Sequence, residues 1–152
     1  MTPHFTLAEF CASDLAARRG IDNTLPATLR PDAEQTLEMM ERIRGFLSNL
    51  ARRDVPIVLS SGYRCPALNL AVGSSSTSDH PRASAADWTA PAFGTPAEIC
   101  RALAPHVSTL GIGQLIHEFG RWVHTSWRLP MRLENRIITI TVAGTTLGIN
   151  EG

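Results

Sequence analysis

The chain has no lysine. All 14 basic residues are arginines, and 14 acidic residues balance them, so the formal net charge is zero. The arginines are scattered, and the doublets Arg18-Arg19 and Arg52-Arg53 are typical of solvated helix ends. Because no basic stripe is present, the sequence gives no indication of nucleic-acid binding.

Cysteine is scarce. Cys11, Cys65 and Cys100 are odd in number and show no CxxC spacing. This pattern argues against a disulfide framework and favours folding in a reducing compartment. Cys65 follows Arg64, whose charge could favour a thiolate, but a buried or half-buried free thiol is the simpler expectation.

Secretion and membrane signals are also missing from the sequence. The first residues, Met1-Thr2-Pro3-His4, lack a basic start and an apolar core, and no apolar run is long enough to span a bilayer. We therefore expect synthesis in the cytoplasm without a signal peptide and no membrane insertion. With 152 residues and 43% hydrophobic content, we expect one monomeric domain over 1–152, with a loose tail over 144–152.

Capping residues and hydrophobic periodicity predict several helices. A capping box from Thr6 to Glu9 starts a short helix, and Pro31 opens the longest one. Shorter helices are predicted over 66–72 and from Thr95 to about Leu103. The long helix should lie on a sheet through one apolar stripe, formed by Ala33, Leu37, Met40, Ile43, Leu47 and Leu50.

Short apolar or β-branched segments predict strands between these helices. The segment 56–60 is predicted to form a buried strand, which would place the following residues 61–64 at one end of a sheet. The other predicted strands cover 85–89, 114–118, 122–126 and 136–142.

Two histidines and an aspartate suggest chemistry most strongly. His80 is followed by Asp87 seven residues on and by His124 much later. Two imidazoles and one carboxylate leave an open position on a tetrahedral zinc ion, as in catalytic sites. Zinc held in this way activates water and polarises a carbonyl group. Residues 80 and 87 could share a helix face, but Pro81 and the serine-rich run 74–78 favour a loop ahead of a strand.

An ordered set of motifs surrounds these residues. It comprises Ser60-Ser61-Gly62-Tyr63-Arg64, Pro66-Ala67-Leu68-Asn69, Ala71-Val72-Gly73, Ser78-Asp79-His80, Ala85-Ala86-Asp87 and Trp122-Val123-His124-Thr125-Ser126. From Phe5 to about Ser126 the chain resembles the zinc D-Ala-D-Ala carboxypeptidases, and more narrowly their small phage and prophage branch. The resemblance implies the α+β fold shared with the hedgehog signalling domain. In that fold a small, mainly antiparallel sheet packs against helices and carries zinc in a cleft.

The resemblance also implies roles for individual residues. The zinc ligands fall on His80, Asp87 and His124. Arg64 matches an arginine that contacts a substrate carbonyl or carboxylate, and Ser78 matches a serine that lines the substrate pocket.

Two aromatic residues, Tyr63 and Trp122, are further candidates for contact with substrate. Tyr63 could donate a hydrogen bond to substrate or anchor its own loop. Trp122 could form an aromatic wall for a peptide or sugar, or pack on the sheet.

Two positions depart from the family pattern. The family usually has glycine where this chain has Ala83. If the backbone needs a positive φ angle there, the added methyl group of alanine could shift the loop. The family often places an acid three residues before the last histidine, where this chain has Arg121, so the general base must come from elsewhere.

Glu118 is the nearest candidate base, and its position depends on a turn. If the turn between 114–118 and 122–126 has three residues, Glu118 lies opposite Trp122 and shares a face with His124. With a two-residue turn, His117 takes that place instead. We predict Glu118.

Three functions are consistent with these observations. The first is a zinc-dependent peptidase that cuts peptidoglycan stem peptides or cross-links in phage or prophage lysis. Such an enzyme would act on the cell wall after release or as part of a virion. The second is a non-catalytic zinc-binding recognition domain, and the third is a structural component of a phage tail with the same fold.

Overall fold

A computed structural model of the protein describes residues 2–150. Its α-helices are α1 (Leu7–Cys11), α2 (Asp14–Arg19), α3 (Arg30–Ala51), α4 (Pro66–Ala71), α5 (Pro96–Leu103) and α6 (Val107–Leu110). Short 3₁₀ turns cover Ala27–Leu29, His80–Arg82, Ala104–His106 and Leu133–Arg136. The capping boxes predicted at Thr6 and Thr95 are both formed, and they satisfy free backbone N–H groups where α1 and α5 begin.

The long helix α3 buries the predicted apolar stripe. Ala33, Leu37, Met40, Ile43 and Leu47 are all fully buried. Leu50 was wrongly included, because its side chain is 57% exposed. The helix ends at Ala51, and Arg52 after it adopts a left-handed conformation. Leu47 and Ala51 of the last turn still contact the core, so Leu50 lies on the solvent side of this turn.

One mixed sheet organises the fold within residues 2–150. Its strands are β1 (Val58–Ser61), β2 (Ala85–Thr89), β3 (Gln114–Glu118), β4 (Trp122–Ser126), β5 (Ile137–Thr141) and β6 (Gly144–Leu147). Their order across the sheet is β1-β2-β4-β3-β5-β6. The neighbours are antiparallel except for β3 and β5. The predicted α+β class with a mainly antiparallel sheet is confirmed.

The two faces of the sheet have different roles. Trp88, Leu115 and Val123 belong to the same buried apolar cluster as the stripe of α3. Because successive strand residues point to opposite faces, the residues beside them in β2, β3 and β4 face away from α3. Asp87, Glu118 and His124 are among these, so strand alternation places them together on the open face.

The end of the chain differs from the predicted loose tail. Gly144–Leu147 forms the edge strand β6, paired antiparallel with β5. Ile149 packs on the core, and the carbonyl oxygen of Asn150 lies 2.8 Å from Nδ1 of His117. Strand β6 is short and exposed, so its own residues give a weak pattern. The tail residues 151–152 lie outside the described residues.

The three cysteines of the chain form no disulfide bond. Cys11, Cys65 and Cys100 are free thiols. Burial raises the pKa of Cys100 to about 12, which makes it inert to thiolate chemistry at neutral pH. Over residues 2–150, no helix combines the length and the apolar character needed to cross a bilayer.

A pair of leucine substitutions on α3 tests the packing. We expect Leu37→Ala to lower the free energy of unfolding by about 2–5 kcal/mol, because it removes buried contacts and leaves a cavity. Leu50→Ala is the matched control and should change it by less than about 0.5 kcal/mol, because that side chain is mostly exposed. Urea unfolding measures both, and equal losses would contradict the assigned orientation of α3.

Candidate metal centre

His80, Asp87 and His124 form a compact buried cluster. Nε2 of His80 lies 3.2 Å from Oδ2 of Asp87, and Nδ1 of His124 lies 2.8 Å from Oδ1 of the same carboxylate. The potential ligand atoms all lie within 4.8 Å of one another. The three residues are at most 6% exposed, so the structure brings together the side chains that the sequence separates by 44 residues.

Strand pairing positions two members of the cluster. Asp87 in β2 lies directly opposite His124 in β4. Side chains at directly opposed positions of antiparallel strands are close neighbours on the same face. The carboxylate and the imidazole are therefore held by the backbone register of the sheet.

The third member, His80, comes from the loop ahead of β2. Its Nδ1 lies 2.6 Å from the carbonyl oxygen of Gly62, and a carbonyl oxygen can only accept. Nδ1 therefore carries the proton, and Nε2 presents its lone pair to the cluster. The backbone N–H of His80 also donates to Oγ of Ser78, which fixes the start of the 3₁₀ turn.

Two special backbone positions support this loop. A Cβ atom at Gly62 would lie 2.3 Å from both the ring and the carbonyl oxygen of Phe10, so only glycine fits beside α1. Ala83 has φ of +57°, which answers the question raised by the missing glycine. This position does need the left-handed conformation, and alanine adopts it at a cost of about 1–2 kcal/mol.

Burial and neighbouring charges act in opposite directions in the cluster. Burial would raise the pKa of Asp87, but His80 and His124 outweigh it and hold that pKa well below its usual range. Burial lowers the pKa of His80, which favours the neutral imidazole. Burial acts the same way on His124, but its hydrogen bond to Asp87 and the charge of that carboxylate raise the pKa above the ordinary value. An ionised carboxylate thus lies between two nitrogen donors.

Glu118 lies beside this cluster. Glu118 is paired with Trp122 across the β3–β4 hairpin, as expected for the three-residue turn. Its Oε1 is 3.7 Å from Nδ1 of His124, whereas His117 faces away and contacts Asn150. Burial raises the pKa of Glu118, although His124 acts against this rise.

Arg64 reaches the cluster from the other side. It follows β1, and its Nη1 lies 3.7 Å from Oδ2 of Asp87. The side chain is only 13% exposed. Across the sheet from β1 to β3, the order is therefore Arg64 after β1, Asp87 and His124 on β2 and β4, and Glu118 on β3.

These residues line one cleft of about 630 Å³. Ser78 and Trp122 line it too, and their contact with substrate stays a prediction. Tyr63 does not line the cleft: it is 3% exposed and belongs to the apolar core. Its predicted contact with substrate is therefore corrected to a packing role, because the chain turns inward beside α1 before Arg64 turns outward. The main chain there is anchored by the 2.8 Å hydrogen bond from the N–H of Tyr63 to the carbonyl of Phe10.

A comparison with protein-family models supplies independent information. Residues 3–126 match the family described as Peptidase M15. The chain belongs to the peptidase M15 family. These are zinc-dependent metallopeptidases, the group that includes the zinc D-Ala-D-Ala carboxypeptidases, so the family resemblance is confirmed. A comparison with curated proteins gives no match.

The cluster fits the zinc ion that M15 peptidases use. Adjacent ligands of a tetrahedral zinc ion with bonds of about 2.0–2.1 Å lie about 3.4 Å apart. The distances from Asp87 to the two histidines, 3.2 and 2.8 Å, are close to this value. Nε2 of His80, a carboxylate oxygen of Asp87 and Nδ1 of His124 could hold the ion. Zinc would supply a Lewis acid at this point of the cleft.

Part of the cleft wall of this M15 peptidase was not predicted from the sequence. Ile116, Ile138 and Ile140 line it on the side of β5. Their positions alternate within β3 and β5, and this alternation could have been read from the sequence. The parallel pairing of β5 with β3, which brings these isoleucines into the cleft, could not be read from the sequence.

A second groove of about 680 Å³ lies between α5 and β6, and none of His80, Asp87 and His124 lines it.

Metal content tests the cluster directly. We expect about one zinc ion per chain, and we expect His80→Ala and His124→Ala to lose it because each removes a donor. Elemental analysis after gel filtration measures the stoichiometry. His106→Ala is the matched control, since this exposed histidine lies in a different turn and should leave the zinc content unchanged. Full zinc content in both cluster variants would refute the assignment.

Proposed function

We propose that this M15 peptidase hydrolyses peptide bonds in bacterial peptidoglycan, in stem peptides or in cross-links, as a D-Ala-D-Ala carboxypeptidase or endopeptidase. The observation that carries the proposal is the presence of three functions in one cleft. The buried cluster of two histidines and one aspartate, an acid 3.7 Å from one of these histidines and an arginine 3.7 Å from the aspartate all line the same cleft. Peptide hydrolysis needs an activated water, a proton acceptor and a positive group near the developing negative charge.

Glu118 is the proposed general base. Its carboxylate is only 17% exposed, and burial raises its pKa, which makes it a better proton acceptor than an ordinary glutamate. It would accept the proton of the attacking water and later pass it to the leaving amine. Its place on β3, diagonal to His124, replaces the family acid that is missing at Arg121.

Arg64 is the proposed anion-stabilising residue. A guanidinium group can bind two oxygen atoms at once through its planar fork of N–H donors. It would stabilise the negative charge that develops on the carbonyl oxygen or hold a substrate carboxylate. Ser78 and Trp122, which line the same cleft, would contact the remainder of the peptide.

The biological setting is part of the proposal. The motifs from Ser60 to Ser126 resemble the phage and prophage branch, which supports a role in lysis. Because the proposed substrate is cell wall, the enzyme would act there after release from the producing cell or as part of a virion.

A non-catalytic zinc-binding recognition domain is the second candidate. One observation favours it: the position three residues before His124 holds Arg121, which is exposed in the β3–β4 turn, instead of an acid. The recognition domain would bind peptidoglycan fragments through the same cleft without turnover.

Substitution of Glu118 separates the two candidates. We expect Glu118→Gln to lower kcat by at least about 100-fold, because a general base is lost, while the affinity for stem-peptide fragments stays unchanged. Turnover is measured by mass spectrometry of digested peptidoglycan and D-Ala-D-Ala stem peptides, and binding by calorimetry.

The matched control is Glu38→Gln, which changes an exposed glutamate of α3 and should leave turnover unaffected. Absence of turnover in the zinc-loaded wild-type protein, with fragment binding retained, would favour the recognition domain. Full turnover in Glu118→Gln would exclude Glu118 as the base.

A further inference from the structure

Asn69 is a buried polar residue behind the cleft. It lies in α4 and is only 4% exposed. Its side-chain hydrogen bonds go to Arg64 and Ser75 and do not reach the metal cluster. A buried amide needs partners for both of its ends, and here the two partners belong to different parts of the cleft wall.

The side-chain oxygen of Asn69 accepts a hydrogen bond from Arg64. Oδ1 of Asn69 accepts from Nε of Arg64 at 3.2 Å, and Oγ of Ser61 accepts from Nη1 at 3.1 Å. Because the guanidinium group is planar, two bonds at different nitrogens fix its plane and its rotation. Within residues 2–150, the side-chain hydrogen bonds of Arg64 use Nε and Nη1, which leaves Nη2 for a ligand, and its backbone N–H donates to the carbonyl of His80.

The side-chain nitrogen of Asn69 binds the serine-rich loop, residues 74–78. Nδ2 of Asn69 donates to the carbonyl oxygen of Ser75 at 3.0 Å, and the backbone N–H of Ser74 donates to the carbonyl of Asn69. The carbonyl of Ser75 also accepts from the N–H of Ser78. Ser74, Ser75 and Ser78 line the cleft, and Ser78 in turn positions His80.

We propose that Asn69 is a positioning residue. It fixes the plane of the Arg64 guanidinium group and links this group, through its own amide, to the serine-rich loop at Ser75. Through Arg64 it determines how the cleft binds a carbonyl or carboxylate oxygen of the substrate. This proposal rests on the proposed peptidase function for its kinetic consequence, but its structural consequence can be measured without turnover.

The structural consequence is read at Arg64 by NMR. We expect the Nε–H signal of Arg64, assigned by its loss in Arg64→Lys, to be protected from solvent exchange in the zinc-loaded protein. Asn69→Ala should abolish the protection. Asn69→Asp should retain it, because the carboxylate keeps the acceptor and loses only the donor to Ser75. Unchanged protection in Asn69→Ala, or lost protection in Asn69→Asp, would overturn the proposal.

The kinetic consequence is read by a double-mutant cycle. We expect Asn69→Ala to lower kcat/KM by about 10- to 100-fold, the effect of losing a hydrogen bond to a charged group. In the Arg64→Lys background the same change should cost less than about threefold, because lysine has no fork to orient. Equal losses in both backgrounds would show a general structural role and overturn the proposal.

The controls separate this proposal from the proposed function. Asn49→Ala alters an exposed asparagine of α3 and should change neither the signal of Arg64 nor kcat/KM. Zinc content and thermal unfolding show that each variant is folded. If the wild-type protein cleaves no peptide, the peptidase function fails, and the exchange protection of Arg64 still decides the role of Asn69.

Discussion

The pairing of β2 with β4 is the constraint on which the site depends. It sets Asp87 opposite His124, and one carboxylate then contacts two imidazoles within 3.2 Å. A shift of one residue in this register would turn either side chain to the opposite face, among the apolar residues that pack on α3. The buried charge of Asp87 is tolerated because both histidines contact it, and an isolated buried carboxylate would take up a proton instead.

The segment between β1 and β2 completes the site by several backbone contacts. Gly62 accepts a hydrogen bond from His80, and the N–H of Arg64 donates to the carbonyl of the same histidine. The two ends of the segment are therefore joined directly behind the cleft. Asn69, between them, links the arginine to the serine-rich loop. Such a supporting layer keeps a metal ligand and an anion-binding group in fixed orientations, which is what catalysis in a preorganised site requires.

Much of the architecture was predictable from local patterns. The capping boxes, the stripe of α3 and the strands around the hairpin all arise from residues close in sequence, so propensity and periodicity indicate them. The errors occurred where distant contacts decide. Leu50 continues the stripe but faces solvent, although Ala51 beside it packs on the core. Tyr63 is buried in the core, and Gly144–Leu147 forms a strand by pairing with β5. A polar, four-residue strand has too little apolar character to be recognised from its own sequence.

The order of amino acids alone sets the chemical types available: two imidazoles, one carboxylate, one arginine and a nearby glutamate, arranged in motifs that predicted a zinc peptidase family. It left open whether His117 or Glu118 shares the face of His124, because strand side chains alternate and one residue of turn length reverses the outcome. The folded sheet resolves this choice by pairing Glu118 with Trp122. The fold likewise brings Ile138 and Ile140 into the cleft wall, since the pairing of β5 with β3 joins segments whose contact no local pattern encodes.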